Sequence, residues 1–109
     1  MMNILYQDLA KDSEGYLLDH TLWNEEIAEQ IARNENITLT EQHWLVINFV
    51  RDYFLRFNTT PAIRSLVKNL QKSFGDEIGN SRYLQKMFNE SPAKTVAKLA
   101  GLPKPAKCL

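Results

Sequence analysis

The segment EQHWLVINFVRDYFLRF, residues 41–57, constrains the fold more than any other stretch of the chain. Its apolar residues recur at helical spacing and cover most of the helix circumference, which indicates a central helix contacted on several sides. These residues are Trp44, Leu45, Val46, Ile47, Phe49, Val50, Tyr53, Phe54 and Phe57. Such a helix needs other helices around it, so the segment predicts a mainly α fold, a small helical bundle.

Capping signals divide the rest of the chain into helices. Thr38 with Glu41 forms a capping-box pattern before the central helix, and Thr40 is a competing N-cap. Thr60 followed by Pro61 predicts the next helix, with Pro61 at its first position. These two helices resemble a helix-turn-helix unit. Three shorter helices are predicted after Asn24, after Asn80 or Ser81, and from Ser91 to a terminating glycine at Gly101.

The two ends of the chain differ from this helical body. Residues 1–18 predict an N-terminal β-hairpin that turns at Gly15. After Gly101 no apolar period remains, and Pro103 and Pro105 favour an extended tail with a reach of roughly 20 Å. We therefore expect a single helical domain over residues 1–101 and a flexible, mobile C-terminal arm over residues 102–109.

Charge is distributed unevenly although the formal net charge is zero. Residues 1–50 hold two basic and nine acidic side chains, a balance of −7, and residues 51–109 hold eleven basic and four acidic ones, a balance of +7. This asymmetry suggests a polyanionic or acidic partner for the C-terminal half. The alternative is that folding brings the two halves together and the charges largely cancel.

The composition fits one soluble domain, with 44% hydrophobic and 24% charged residues. We find no basic segment followed by an apolar leader and no run long enough to cross a bilayer, so we expect a cytoplasmic protein that does not insert in a membrane. The single cysteine excludes a disulfide within the chain.

Three kinds of site receive little support from the residues. A zinc site would require His20, His43 and Cys108 to converge from distant segments, so we expect no metal. The four glycines form no phosphate-binding loop, which argues against a site for the common nucleotide cofactors. A nucleic-acid-binding regulator remains the alternative function, because Arg64 and Lys68 lie on the polar side of the second helix in the helix-turn-helix unit.

The tail GLPKPAKCL holds the only cysteine, Cys108, one residue from its end. Prolines reduce the conformational entropy that such a tail loses when it enters a partner's active site. Lys104 and Lys107 favour the thiolate, which attacks sulfur, whereas the terminal carboxylate opposes it. The alternative is an incidental cysteine at a frayed chain end.

Several blocks occur together: EGYL, HWLVINFVRDYFLRFNTTPAIRSLVK, FGDEIGNSRYLQKMF and the tail GLPKPAKCL. In this order they closely resemble the DsrC/TusE family over nearly the whole chain. DsrC proteins carry a second cysteine eleven residues before the penultimate one, and this position is Ala97 here. The chain is therefore more similar to the single-cysteine TusE branch.

The resemblance implies a sulfur-relay carrier of tRNA 2-thiolation, a sulfurtransferase-type step without a cofactor. Cys108 would accept persulfide sulfur from the TusD-like subunit of a TusBCD complex. It would then pass the sulfur toward an MnmA-like tRNA thiouridylase, with tRNA bound, at the wobble uridine. We predict partner-binding roles for Lys104, Lys107, Arg64 and Lys68, chiefly in on-rate and register.

Overall fold

A computed structural model describes residues 5–105 of the chain and contains five α-helices in that range. They are α1 (Glu25–Asn34), α2 (Glu41–Phe57), α3 (Ile63–Phe74), α4 (Ser81–Phe88) and α5 (Pro92–Leu99). The mainly helical fold class is confirmed. Of the helices in the described range, none is long and apolar enough to cross a membrane.

The short helix α5 lies at the centre of the bundle and packs against each of the other four helices. Its small side chains Ala93 and Ala97 are buried, which lets the neighbouring backbones come close. The fully buried side chains around it include Ile27, Ile31, Ile47, Leu66, Leu70, Leu84 and Phe88. The central position predicted for α2 is therefore held by α5, and α2 leaves Leu45, Leu55 and Phe57 exposed.

The predicted N-terminal hairpin is wrong for the described residues. The segment Tyr6–Asp8 forms a 3-10 turn, and one isolated antiparallel bridge joins Lys11 and Leu17. Side chains use the backbone groups that a strand pair would need. The Tyr6 N–H donates to Oε1 of Gln30 at 2.8 Å, and the Lys11 ammonium donates to the Tyr6 carbonyl at 2.9 Å. Residues 1–4 of the predicted hairpin lie outside the described residues.

Side chains cap the helix starts as the local sequence predicts in two cases. The Asn24 side chain accepts from the Ile27 N–H at 2.9 Å, and the Asn80 side chain accepts from the Arg82 N–H at 3.0 Å. At α2 the N-cap is Thr40, so the competing Thr38 pattern is not used.

His43 completes the cap of α2 and ties this helix to α4. Its Nδ1 accepts from the Thr40 N–H at 3.1 Å, and its Nε2 lies 2.9 Å from the Met87 carbonyl oxygen. Because a carbonyl only accepts, Nε2 carries the proton and Nδ1 is the acceptor. The ring also meets Phe88 edge-on, with the ring centroids 5.0 Å apart. One buried imidazole thus joins a helix start to a second helix.

We expect His43→Ala to lower the free energy of unfolding by roughly 1–3 kcal/mol, because it removes the cap and leaves the Met87 carbonyl without its partner. Urea unfolding followed by circular dichroism measures this loss. Gln42→Ala, at an exposed position in the same helical turn, is the control and should change stability by less than about 0.5 kcal/mol. Equal effects of the two substitutions would contradict the bridging role.

Candidate functional site: the foot of the C-terminal arm

The end of α5 and the first residues of the tail form a compact turn, residues 99–105, which we call the arm foot. The Leu102 N–H donates to the Ala97 carbonyl at 3.0 Å, and the Gly101 N–H donates to the Lys98 carbonyl at 3.0 Å. This pair of bonds is a Schellman motif, and Gly101 takes its left-handed position with φ 71°. The predicted terminating glycine is confirmed.

Side chains from two other elements bind the last carbonyls of α5. Trp23, just before α1, donates from Nε1 to the Leu99 carbonyl at 2.7 Å. Arg51 of α2 donates from Nη1 to the Ala100 carbonyl at 2.7 Å, and its guanidinium carbon lies 4.1 Å from the Trp23 ring centroid. Burial lowers the pKa of Arg51, but guanidinium remains protonated in proteins. The helix terminus therefore meets a cation that suits its negative dipole end.

Gly101 also meets Trp23 directly. A Cβ atom at this position would lie 2.5 Å from Cδ1 of the indole, closer than side chains tolerate. The turn therefore requires glycine for its backbone conformation and for the close approach of the ring.

Thr60 contributes to the arm foot, whereas the sequence predicts it as a helix cap. Its hydroxyl donates to the Pro103 carbonyl at 2.9 Å, and α3 begins at Ile63 with Ala62 as N-cap. The predicted position of Pro61 inside the helix is also wrong, because Pro61 precedes the N-cap. The hydroxyl is buried, so pairing with a carbonyl from the tail satisfies it as well as a cap would.

The outer part of the arm foot contacts the N-terminal turn. Leu102 is 1% exposed, and Lys104 forms a salt bridge with Glu14 at 2.9 Å. Because both charged side chains are 40% exposed or more, the pair contributes little to folding stability. The turn that contains Glu14 also contacts α5, because the Tyr16 hydroxyl donates to the Lys94 carbonyl at 3.4 Å.

A cavity of about 580 Å³ lies beside the arm foot, between the start of α3, α4 and the start of α5. Lys104 and Pro105 form one wall of it, and the partly exposed Ile63 and the largely buried Pro92 and Ala93 also line it. A second cavity of about 300 Å³ continues along α3. The tail beyond Pro105 therefore starts at the edge of a concave surface.

The structure describes three of the five predicted site residues. Cys108 and Lys107 lie outside the described residues. Lys104 lies in the arm foot, and Arg64 and Lys68 are exposed on α3, where they line the second cavity. Their predicted roles in partner binding stay predictions.

The contacts of three side chains with the arm foot were not predicted from the sequence: those of Trp23, Arg51 and Thr60. Each bonds a carbonyl that is distant in the chain, by 76, 49 and 43 positions respectively. The local patterns indicate a helix start at Trp23, a helix interior at Arg51 and a cap at Thr60. No short-range signal in one sequence links them to the tail.

The two histidines have structural contacts. His20 lies in a 3-10 turn and meets Phe54 edge-on at 4.9 Å, and His43 is part of the α2 cap. Within residues 5–105, no three side chains of His, Cys, Asp or Glu come together in a way that would hold a metal ion.

The chain is similar over its length to known proteins. Residues 3–109 match the sequence profile of a family described as DsrC like protein. A Sulfurtransferase TusE of Salmonella choleraesuis (strain SC-B67) is 53% identical over 103 residues, covering 94% of each chain. A Sulfurtransferase TusE of Pectobacterium atrosepticum is 50% identical over 109 residues, covering 100% of both chains.

A solved structure shares the fold. The NMR structure of Allochromatium vinosum DsrC superimposes with a TM-score of 0.84 at 44% sequence identity. The match covers 93% of this chain and 90% of that one, so the helical body as a whole is common to both.

We expect Arg51→Met to destabilise the fold by about 1–3 kcal/mol, because the Ala100 carbonyl loses a charged donor and the Trp23 ring loses its cation. Chemical unfolding of the purified variant measures the loss. Arg56→Met, on an exposed position of the same helix, is the matched control and should have little effect. A similar loss in both variants would show that the arm-foot contacts contribute nothing specific.

Burial raises the pKa of Tyr16 to about 12, with Glu14 as a further cause. In the unfolded chain a tyrosine titrates near 10, so the folded state holds this proton more tightly. Its contribution to stability is therefore complete below about pH 10 and is lost as the pH rises toward 12. Thermal unfolding across this interval should show a smaller decline in Tyr16→Phe than in the unmodified chain. An equal loss of thermal stability in the two proteins would show that Tyr16 is not the group responsible.

Proposed function

The chain belongs to the DsrC-like protein family, and from this membership we propose that it carries sulfur as a persulfide on Cys108. The relay that it serves ends in 2-thiouridine formation at the wobble position of tRNA. The observation that carries the proposal is the full-length match to proteins named sulfurtransferases, which includes the tail with Cys108.

The transfer step needs only a thiolate and a donor persulfide. The Cys108 thiolate attacks the outer sulfur of the donor persulfide, a new S–S bond forms on Cys108, and the donor S–S bond breaks. The donor cysteine leaves as a thiolate, the proton stays with the transferred sulfur, and no net oxidation or reduction occurs. The step therefore proceeds without a metal or an organic cofactor.

The family resemblance supports a specific donor and acceptor in this proposal. The donor is a TusD-like subunit within a TusBCD complex, and the acceptor is an MnmA-like tRNA thiouridylase. Because this chain holds a single cysteine, it has no second thiol that would expel the sulfur internally. Release therefore requires a nucleophile of the next protein or the activated tRNA site.

The arm foot supports this proposal by limiting where Cys108 can reach. Three residue steps connect Pro105 to Cys108, and an extended chain spans at most about 3.6 Å per residue, so the reach beyond Pro105 is about 11 Å. Contacts of Leu102, Pro103 and Lys104 with the body hold the start of this tether. A partner must therefore bring its reactive sulfur close to the body of the carrier.

Charge near the tail supports a role in approach. Lys104 and Lys107 lie within the tail sequence, and Arg64 and Lys68 are exposed on α3. We assign them to guiding an acidic rim of the partner, through the rate of association more than through final affinity.

Intact-mass spectrometry after incubation with a persulfidated TusD-like donor tests the function. The unmodified chain should gain one sulfur atom that reductant removes, and Cys108→Ser should gain none. A variant with an exposed substitution away from the tail, Gln42→Ala, controls for handling and should be charged like the unmodified chain.

Failure of transfer from a donor that is demonstrably charged would refute the carrier role. Binding of a nucleic acid that survives in Cys108→Ser and shows sequence preference would instead favour the regulator function.

A further inference from the structure

The two cavities beside the arm foot are adjacent, and together we call them the groove. Both are lined by Ile63 of α3 and Ser81 of α4, so the second cavity extends the first along these helices. Lys104 and Pro105, the last described residues of the tail, line the first of these cavities. A segment bound in the groove would therefore lie next to the point from which the tail continues.

The rim of this groove is strongly basic. Arg64 and Lys68 line one part of it and Lys94 and Lys104 the other, against one carboxylate, Glu90. In the described part of the chain, the only salt bridge is that of Lys104 with Glu14. The other three cations consequently have no carboxylate partner among residues 5–105. An acidic ligand would supply the missing charge.

The base of the groove is apolar. Ile63 and Val67 of α3 provide its accessible apolar side chains, and Pro105 extends it at the tail end, whereas Pro92 and Ala93 of α5 line it but are largely buried. Ile63 and Val67 are partly exposed although they pack against the core. Water over such a surface is released when apolar side chains cover it, which favours a ligand with apolar groups.

We propose that this basic groove binds an acidic amphipathic helix of a relay partner. The apolar face of the helix would cover Ile63 and Val67, and its carboxylates would pair with Arg64, Lys68 and Lys94. The inference rests on the proposed function only in assigning the segment to a relay protein. It adds a docking site on the body, separate from the thiol that performs the transfer.

The apolar base decides between a protein segment and RNA. Phosphate groups would match the basic rim, but they offer nothing to cover Ile63 and Val67. The described residues that line the groove include no aromatic side chain on which an unpaired base would stack. A helix with apolar and acidic faces satisfies both parts of the surface.

Titration of the full chain with a synthetic helical peptide tests the groove. The probe has about 15 residues, with leucines at helical spacing and glutamates between them. A control peptide keeps the glutamates and replaces each leucine by serine, and a single-stranded RNA of similar charge is the third ligand. Isotope-labelled protein reports the binding site through its amide signals, and fluorescence anisotropy gives Kd.

We expect the leucine-containing peptide to bind at least roughly tenfold more tightly than the serine control. The amide signals that move should belong to residues 63–68, 81–85 and 90–94. Equal affinity of the two peptides, tighter binding of the RNA, absence of binding, or shifts confined to other surfaces would each overturn the proposal.

Paired variants separate charge from apolar contact. Lys68→Glu should weaken the leucine peptide roughly threefold to tenfold at low salt and much less at high salt, whereas Lys72→Glu, on α3 but outside the groove, should change it less than about twofold. Ile63→Gln should weaken binding at all salt concentrations, and the exposed Leu55→Gln is its control. Should Ile63→Gln fail to fold, the exposed Lys68 and Lys72 variants still decide the outcome.

The result does not depend on the thiol. Cys108→Ser should bind the peptide with unchanged affinity, because docking in the groove requires no thiol chemistry. Peptide binding without sulfur transfer would refute the carrier function and support the docking groove. Sulfur transfer without peptide binding would support the carrier function and refute the docking groove.

Discussion

The carbonyl groups at the end of α5 are the constraint on which the rest of this structure depends. A helix leaves its last carbonyls without partners inside the helix, and at the centre of a bundle water cannot supply them. Here Trp23 and Arg51 bind two of them, and the stacked guanidinium joins both donors. The segment before α1, the middle of α2 and the end of α5 are thereby brought to one point.

Local signals predicted most helices, because a helix is specified by residues close in sequence. The spacing of apolar residues placed α2, and Asn24 and Asn80 act as N-caps where they were predicted. The N-terminal turn and Thr60 differ from prediction for a common reason. In both, polar groups pair with distant partners, Gln30 in one case and Pro103 in the other, and these partners are more favourable than the local ones.

The arrangement of the helices in the bundle could not be predicted from local sequence patterns either. The most apolar segment predicted α2 as the central helix, yet the small residues of α5 allow closer approach from all sides. Of the predicted site residues, the positions of Lys104, Arg64 and Lys68 became interpretable only when the groove beside the tail was seen. The residues that hold the arm foot, Trp23, Arg51 and Thr60, carry no local signal of that role.

The arm foot makes the start of the tail part of the core. Leu102 is buried, and Gly101 lies against an indole that has no room for another side chain. Substitutions that loosen this turn therefore also weaken the body, so the chain has little freedom to re-aim its tail by point mutation. A change in the direction in which the tail leaves the body would therefore cost folding stability as well.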